Sequence, residues 1–375
     1  MKKIIFLNKS LLQYRKDFYN LLKSELLKHD IEMEVIYGKS SNINFLNKDE
    51  VEINWAKYIP NKSFKIGRTE LIWQPCLNEI KDKDIVIVES ANKLLINYIL
   101  ILSRTFSKRK LAFWGHGRNI QANTNSLRNR FKYLFLNKCD WWFGYTKGTR
   151  DFLLSKNYPA EKITVVQNAI DTIGIRKFYS EIQEYELAEL RKELGIQKDD
   201  PTAIFCGAMY PEKNFDFILE ICHKVRQEIP NFNMIFIGSG IEANKLIMAS
   251  EENSWIHYVG SKFGNERVKY FKISQIQLLP YYVGLGILDS FALETPVIVT
   301  SNSFHGPEIE YLEDGKNGYM TKDNSDDYLS KVIETLKNKT YLNLISGCRK
   351  TAEKITLEVM VENFKEGIIS CLKAK

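Results

Sequence analysis

Three glycine-bearing segments in the second half of the chain each follow an apolar run and precede a helical one. They are Gly207-Ala-Met-Tyr-Pro-Glu-Lys213, Gly238-Ser-Gly240 and Gly284-Leu-Gly286-Ile-Leu-Asp289. Free backbone N–H groups at such junctions favour anions, and glycine lets the backbone approach a ligand closely. Lys213 stands where an ammonium can reach a diphosphate as a point charge. Asp289 lies one helical turn beyond Gly286, where a carboxylate can accept hydrogen bonds from the vicinal hydroxyls of a ribose. In the first half, His116 sits between Gly115 and Gly117 at the end of an apolar run. An isolated lysine is usually just solvated and a lone histidine is usually structural, so the case rests on their shared placement. A dinucleotide fingerprint would need a third glycine three residues after Gly286, in the first βα turn of its domain. Asp289 occupies that place, deep in the second half, which disfavours that reading.

These residues need a frame that brings strand ends together, and the sequence supplies one. Apolar runs at Lys3–Leu7, Ile31–Tyr37, Ile85–Val88, Lys110–Trp114, Trp141–Gly144 and Ile163–Val166 read as strands. Segments with helical spacing fall between several of them, including 14–29, 127–136 and 147–156. The run from Leu94 to Ser103 is too short to span a bilayer and reads as a buried helix. A polar helical connector, Lys177 to Leu194, leads into a second series with strands at Thr202–Cys206, Met234–Ile237, Ile256–Val259, Ile276–Leu279 and Val297–Thr300. Helices are expected at 215–229, at 287–293 and from there to the end. Strands alternating with helices imply doubly wound parallel sheets, whose ligands bind at the carboxyl ends of the strands. The expected division is an N-terminal Rossmann-like domain over 1–172, a second over 173–355, and a C-terminal helix, 356–375, packing back toward the first domain.

Composition narrows the class. The chain has 375 residues, 44% apolar and 26% charged, as ordinary soluble proteins do. Its start, Met1-Lys-Lys-Ile-Ile-Phe-Leu, reads as a first strand and not as a signal peptide. Six widely spaced cysteines without a C-x-x-C pair point to reduced thiols in a cytoplasmic protein. Residues 1–172 hold 29 Lys and Arg against 17 Asp and Glu, a net of +12, and the remainder carries −5. A basic first half should meet something anionic. No nucleic-acid recognition motif is present, so no nucleic-acid partner is expected. The basic stretch Ser103-Arg-Thr-Phe-Ser-Lys-Arg-Lys110, beside the apolar run, suggests peripheral contact with an anionic membrane.

The motifs together resemble the GT-B nucleotide-sugar glycosyltransferases, and in particular retaining glycosyltransferase family four. That family carries G-R-x-x-x-E-K-G, then P-x-x-x-L-x-I-x-G-x-G, then E-x-F-G-x-x-x-x-E-A-x-A-x-G-x-P-V-I. Here Gly207–Lys213, Pro230–Gly240 and Tyr281–Ile298 follow in the same order and spacing, with His305-Gly-Pro-Glu308 and Asp314–Gly318 beyond them. Segments of the first half, among them Tyr14–Tyr19, Val88-Glu89, Trp114–Gly117 and Val166–Asp171, resemble a surface-polysaccharide branch. The resemblance implies a retaining transfer of a sugar from a UDP- or GDP-linked donor to a glycan or a polyprenyl-phosphate-linked acceptor. It needs no cofactor and no metal. Lys213 would meet the donor diphosphate, with Gly207 and Gly238 beside it. The backbone of Gly284, Leu285 and Gly286 would cradle phosphate and sugar, Asp289 would hold the ribose, and His116 would approach the transferred sugar.

Three positions depart from the pattern. Ala208 replaces the family arginine, Tyr281 replaces the first glutamate, and Glu294 replaces the glycine before the final proline. An arginine is a charge-assisted partner for phosphate, so either Arg15, Arg118 or Lys262 takes over or donor binding is weaker. Tyr281 can hydrogen-bond a sugar hydroxyl but cannot act as a carboxylate. Two other readings stay open: an epimerase of the same fold, for which Glu89 and Glu308 are the candidate carboxylates, and a catalytically degenerate partner subunit.

Overall fold

The computed structural model describes residues 1–39, 50–67, 69–117, 133–301 and 304–374. The chain divides into two compact units, Met1–Asn168 with Leu357–Lys375, and Ala169–Thr356.

The first unit is built on β1 (Lys2–Asn8), α1 (Lys16–Leu27), β2 (Ile31–Tyr37), β3 (Lys57–Tyr58), β4 (Lys62–Ile66), β5 (Thr69–Trp73) and β6 (Ile85–Glu89). It continues with α2 (Leu95–Ser103), β7 (Lys110–Gly115), β8 (Trp141–Gly144), α3 (Lys147–Ser155) and β9 (Ile163–Val165). Its seven-stranded sheet runs β3-β2-β1-β6-β7-β8-β9, with every neighbouring pair parallel. The order reverses between β1 and β6, so a crevice at their carboxyl ends is where such a sheet takes ligands. β4 and β5 form an antiparallel hairpin of their own. Alternating polar residues in that stretch gave no buried-strand signal, and the hairpin is absent from the sequence reading. α2 corrects a further expectation. It buries Ile96, Asn97 and Leu100, but Leu102 is 72% exposed and Phe106, just beyond it, is 94% exposed.

The second unit opens with α4 (Thr172–Glu181) and α5 (Glu184–Leu194), where one connector was expected. Gln183 and Glu186 start α5 with a reciprocal cap, which separates the two helices. The sheet strands and their helices follow: β10 (Thr202–Cys206), α6 (Phe215–Glu228), β11 (Asn233–Ile237), α7 (Ala243–Glu252), β12 (Ile256–Tyr258), α8 (Val268–Lys272) and β13 (Ile276–Leu278). After them come α9 (Gly286–Ala292), β14 (Val297–Thr300), β15 (Gly318–Thr321), α10 (Ser325–Lys337) and α11 (Tyr341–Lys354). The six parallel strands are ordered β12-β11-β10-β13-β14-β15, reversing between β10 and β13. Apolar faces on both sides explain the continuous hydrophobic strands, because helices cover a parallel sheet twice.

The chain then returns to the first unit as α12 (Leu357–Lys373). Phe364 stacks on Phe143 at 4.8 Å and meets Phe6, Phe18 and Trp114 at 6.0, 4.9 and 5.0 Å. Gly367 is required by this packing, since a Cβ there would lie 2.5 Å from Thr164 Oγ1. The Lys110 ammonium donates to the carbonyls of Cys371 and Ala374, so a cation closes the carboxyl end of the helix.

Candidate active site

The loops after the neighbouring strands β10 and β11 of the second sheet are joined backbone to backbone. Gly207 N–H donates to Ile237 O at 3.0 Å, and Met209 N–H to Ser239 O at 2.9 Å. Gly238 and Gly240 have φ of +143° and +155°, and a Cβ on them would stand 1.9 Å from Gly207 O and 2.0 Å from Met209 O. Only glycine permits so close an approach. The two loops are thereby packed backbone against backbone.

Lys213 ends the short turn Pro211–Lys213 that precedes α6. Its side chain is buried, its Nζ donates to Tyr282 O, and the rings of Tyr210 and Tyr282 lie 5.5 and 5.8 Å from the ammonium. Burial pushes its pKa down from 10.5 to about 8. No carboxylate among the described residues pairs with this cation. A buried, uncompensated ammonium is an anion site in waiting.

The segment after β13 is held by His305. Val283 N–H donates to His305 Nδ1 at 3.1 Å, and the ring's Nε2–H then donates to Thr300 O at 2.7 Å. Gly306 N–H returns to Val283 O at 2.7 Å. Burial, the largest cause, lowers the His305 pKa, which suits this neutral tautomer. The loop so pinned forces Tyr282 to φ +58°, a conformation that a bulky residue adopts only under constraint. Gly284 and Gly286 face open space, with nothing within 3.8 Å of a Cβ on either. Beyond them, Asp289 Oδ1 accepts a hydrogen bond from Arg267 Nη2 at 2.7 Å.

In the first unit, His116 follows β7 between Gly115 at φ +148° and Gly117 at φ +71°, its ring 4.4 Å from that of Tyr145. Glu89 ends β6 and pairs with Lys9 at 3.3 Å, beside the point where the strand order reverses. Arg15 is buried. It donates to Asn168 Oδ1 at 2.7 Å and lies 4.5 Å from the Trp114 ring and 4.8 Å from Tyr14. Those bonds commit it to the first unit's interior, which argues against it as the replacement phosphate ligand. Lys262 lies half-buried on the loop after β12, and Glu308 is buried near Gly306 in the second unit. Arg118 lies outside the described residues. Among the described residues no three His, Cys, Asp or Glu side chains gather as a metal would require.

Residues 187–354 match the family model described as glycosyl transferases group 1. The matched segment lies within the second unit. EpsD of Bacillus subtilis (strain 168), named as a glycosyltransferase, is 24% identical over 49% of this chain and 48% of its own length. The alpha-monoglucosyldiacylglycerol synthase of Acholeplasma laidlawii is 23% identical over 59% of this chain and 55% of its own. The chain thus spans about half the length of these relatives. Among solved structures, Anabaena HepE in complex with UDP superposes with a TM-score of 0.70 at 14% identity, covering 99% of this chain and 100% of that one. The fold is accordingly GT-B, two Rossmann-like domains in series.

Two of the departures from the motifs are explained by their surroundings. Glu294 adopts φ +58°, the backbone for which a glycine is the easy choice, and its carboxylate is gripped by Arg349 through two bonds of 2.5 and 2.7 Å. Tyr281 packs its ring on Phe217 at 5.3 Å and turns its hydroxyl toward Asp323 and Asn214. Burial, then the Asp323 charge, raises its pKa. That hydroxyl is engaged with protein groups, and Tyr282 is the tyrosine against Lys213. The sequence reading missed Arg267, His305 and Tyr282. A histidine two residues before a proline was visible as a motif, but no sequence signal announced the other two.

Proposed function

We propose that this chain is a retaining glycosyltransferase, moving a sugar from a UDP- or GDP-linked donor to a hydroxyl of a glycan or lipid-linked acceptor in cell-surface polysaccharide or glycolipid synthesis. The observation that carries the reading is Lys213, a buried ammonium that no carboxylate among the described residues pairs with, beside glycines whose Cβ positions are open. Departure of a nucleoside diphosphate from an oxocarbenium-like centre builds charge on the leaving phosphate, and a fixed cation in a desolvated setting stabilises it best there. Lys213 supplies that cation, Gly284 to Gly286 supply peptide groups, and Asp289 receives ribose hydroxyls. His116, held by its glycines and Tyr145, serves the reacting sugar from the first unit. A proton from the acceptor hydroxyl passes to the leaving phosphate oxygen, so no enzyme nucleophile is needed.

The test is a donor screen across UDP- and GDP-sugars, following nucleotide release with glycan and lipid-linked acceptors. His116→Ala is expected to lower turnover at saturating donor by ~100-fold, with UDP or GDP affinity changed by less than about 3-fold. Release that survives both His116→Ala and Lys213→Ala would remove the site assignment, and no nucleotide sugar bound at all would favour a partner subunit without activity.

The polyprenyl or lipid acceptor class is supported by the surface near α2. A cavity of about 480 Å³ is lined by Arg104, Lys108, Arg109, Lys138 and Lys162, the first three close in sequence to exposed Leu102 and Phe106. Arg104 is already paired with Asp140, and Arg109 with Ile80 O and Ser103, which leaves Lys108, Lys138 and Lys162 to face anions. No helix of the described residues is long and apolar enough to cross a membrane. Peripheral attachment at the cytoplasmic face is therefore the form of membrane contact proposed. Cosedimentation with vesicles of mixed anionic and neutral lipid should fall ~5-fold for Phe106→Ser with Lys108→Glu, each basic residue near such a surface being worth about 1 kcal/mol. Equal sedimentation with purely neutral vesicles would rule out the electrostatic part.

A further inference from the structure

Asp289 does not stand alone. Arg267, at the residue before α8, reaches it across the loop that follows β13, and the two side chains are only 18% and 17% exposed. The neighbouring Val268 and Phe271 are buried, so the backbone that carries Arg267 is anchored in the core. The guanidinium also lies within electrostatic reach of Cys206, the last residue of β10. Its Nε is buried and has no hydrogen-bond partner among the described residues. Of the two carboxylate oxygens of Asp289, Oδ1 accepts from Arg267, and Oδ2 accepts no hydrogen bond among the described residues.

A short carboxylate on a seven-residue helix can swing about χ1 and χ2, and each rotamer aims its oxygens differently. One charge-assisted bond at 2.7 Å to a rigid, planar guanidinium removes that freedom. The pair is electrically balanced, which makes Arg267 a poor substitute for the arginine missing at Ala208 as a phosphate ligand. Its effect is on direction. We propose that Arg267 is a positioning residue that locks Asp289 so that Oδ2 receives the ribose diol of the donor, and that it thereby sets the preference for ribonucleotides over deoxyribonucleotides. The proposal rests on the donor reading of Asp289 given above.

Calorimetric titration of the full chain with UDP, GDP and their 2′,3′-dideoxy counterparts tests it. A hydrogen bond to a charged group is worth enough for the wild-type protein to prefer the ribonucleotide by ~10-fold or more. Arg267→Gln should reduce that preference to about 2-fold or less, as should Asp289→Asn, and the double variant should lose no more than either single one. Arg267→Lys should keep part of the preference. In turnover, Arg267→Gln should raise KM for the donor and leave kcat within about 3-fold. If Arg267→Gln keeps the full ribose preference while Asp289→Asn loses it, the proposal is wrong. Equal weakening of ribo- and dideoxynucleotide binding in Arg267→Gln also overturns it, because that is the mark of general structural damage. A wild-type chain that binds neither UDP nor GDP would instead overturn the donor reading itself.

Discussion

Lys213→Met is expected to abolish sugar transfer and, at the same time, to raise the thermal midpoint. The loss follows from removing the buried ammonium beside the open glycines, and removal of a single group that meets developing charge costs ~10²–10³-fold in turnover. The gain follows from burial. Desolvation holds the ammonium at about 8 against an ordinary 10.5, so the fold carries on the order of 3 kcal/mol of strain from this charge at neutral pH. A thioether of similar length relieves most of it. It also leaves Tyr282 O without its donor, which returns about 1 kcal/mol. The net is a rise of ~2–6 °C in the midpoint of the second unit. The sign with pH is fixed as well. Between about 8 and 10.5 the unfolded chain binds more protons than the folded one, so wild-type stability contains a term that rises with pH across that window. Below about 8 the penalty is present in full, and in the Met variant the term is absent. Donor kcat/KM in the wild type should correspondingly fall as pH rises past about 8 and Lys213 loses its proton. Calorimetric melts at pH 7 and pH 9.5 beside initial rates decide the matter, and a Met variant that melts lower at pH 7 would show that the ammonium is not a burden.

Gly238→Ala should be among the most damaging single changes in the second unit, although it adds one methyl group. That methyl would stand 1.9 Å from Gly207 O, a backbone atom that cannot turn aside, at a residue with φ +143°. The two loops must separate, breaking Gly207 N–H···Ile237 O and Met209 N–H···Ser239 O. Backbone strain and lost bonds together amount to ~3–5 kcal/mol. Gly284→Ala supplies the contrast. Nothing lies within 4 Å of its Cβ, so the melt should be unchanged within about 0.5 kcal/mol. Donor affinity should nevertheless drop by ~10-fold, because the methyl occupies the room left for the ligand. Melting curves and UDP or GDP titrations on the two variants separate a glycine kept for packing from one kept for binding. A Gly284→Ala protein with wild-type affinity would place the donor elsewhere.

The frame was legible where one local signal sufficed. Trp141–Gly144, Thr202–Cys206 and Val297–Thr300 were bounded correctly because continuous apolar runs between turn residues have few other homes. Lys213 was expected just before a helix and His116 just after a strand, and both stand there. What a long side chain meets was not. Arg267 and Asp289 are joined across 22 residues, and nothing in either neighbourhood encodes the match. Tyr281 read as a ligand because spacing alone was available, and its hydroxyl is turned to Asp323 and Asn214 by packing on Phe217. Glu294 read as a loss, yet it keeps the left-handed backbone that the motif demands. The exposed Leu102 shows the converse limit, since an apolar run says that burial would be favourable and not that a partner within the fold provides it.

The return of α12 to the first unit reverses the order in which the molecule can be finished during synthesis. Phe364 completes the ring cluster of Phe6, Phe18, Trp114 and Phe143, so the amino-terminal unit lacks part of its core until residues 357–373 leave the ribosome. The second unit, continuous in sequence from Ala169 to Thr356, has by then emerged whole. The half of the protein that is made first is therefore the half that is completed last, and its unfinished face waits through the making of the other.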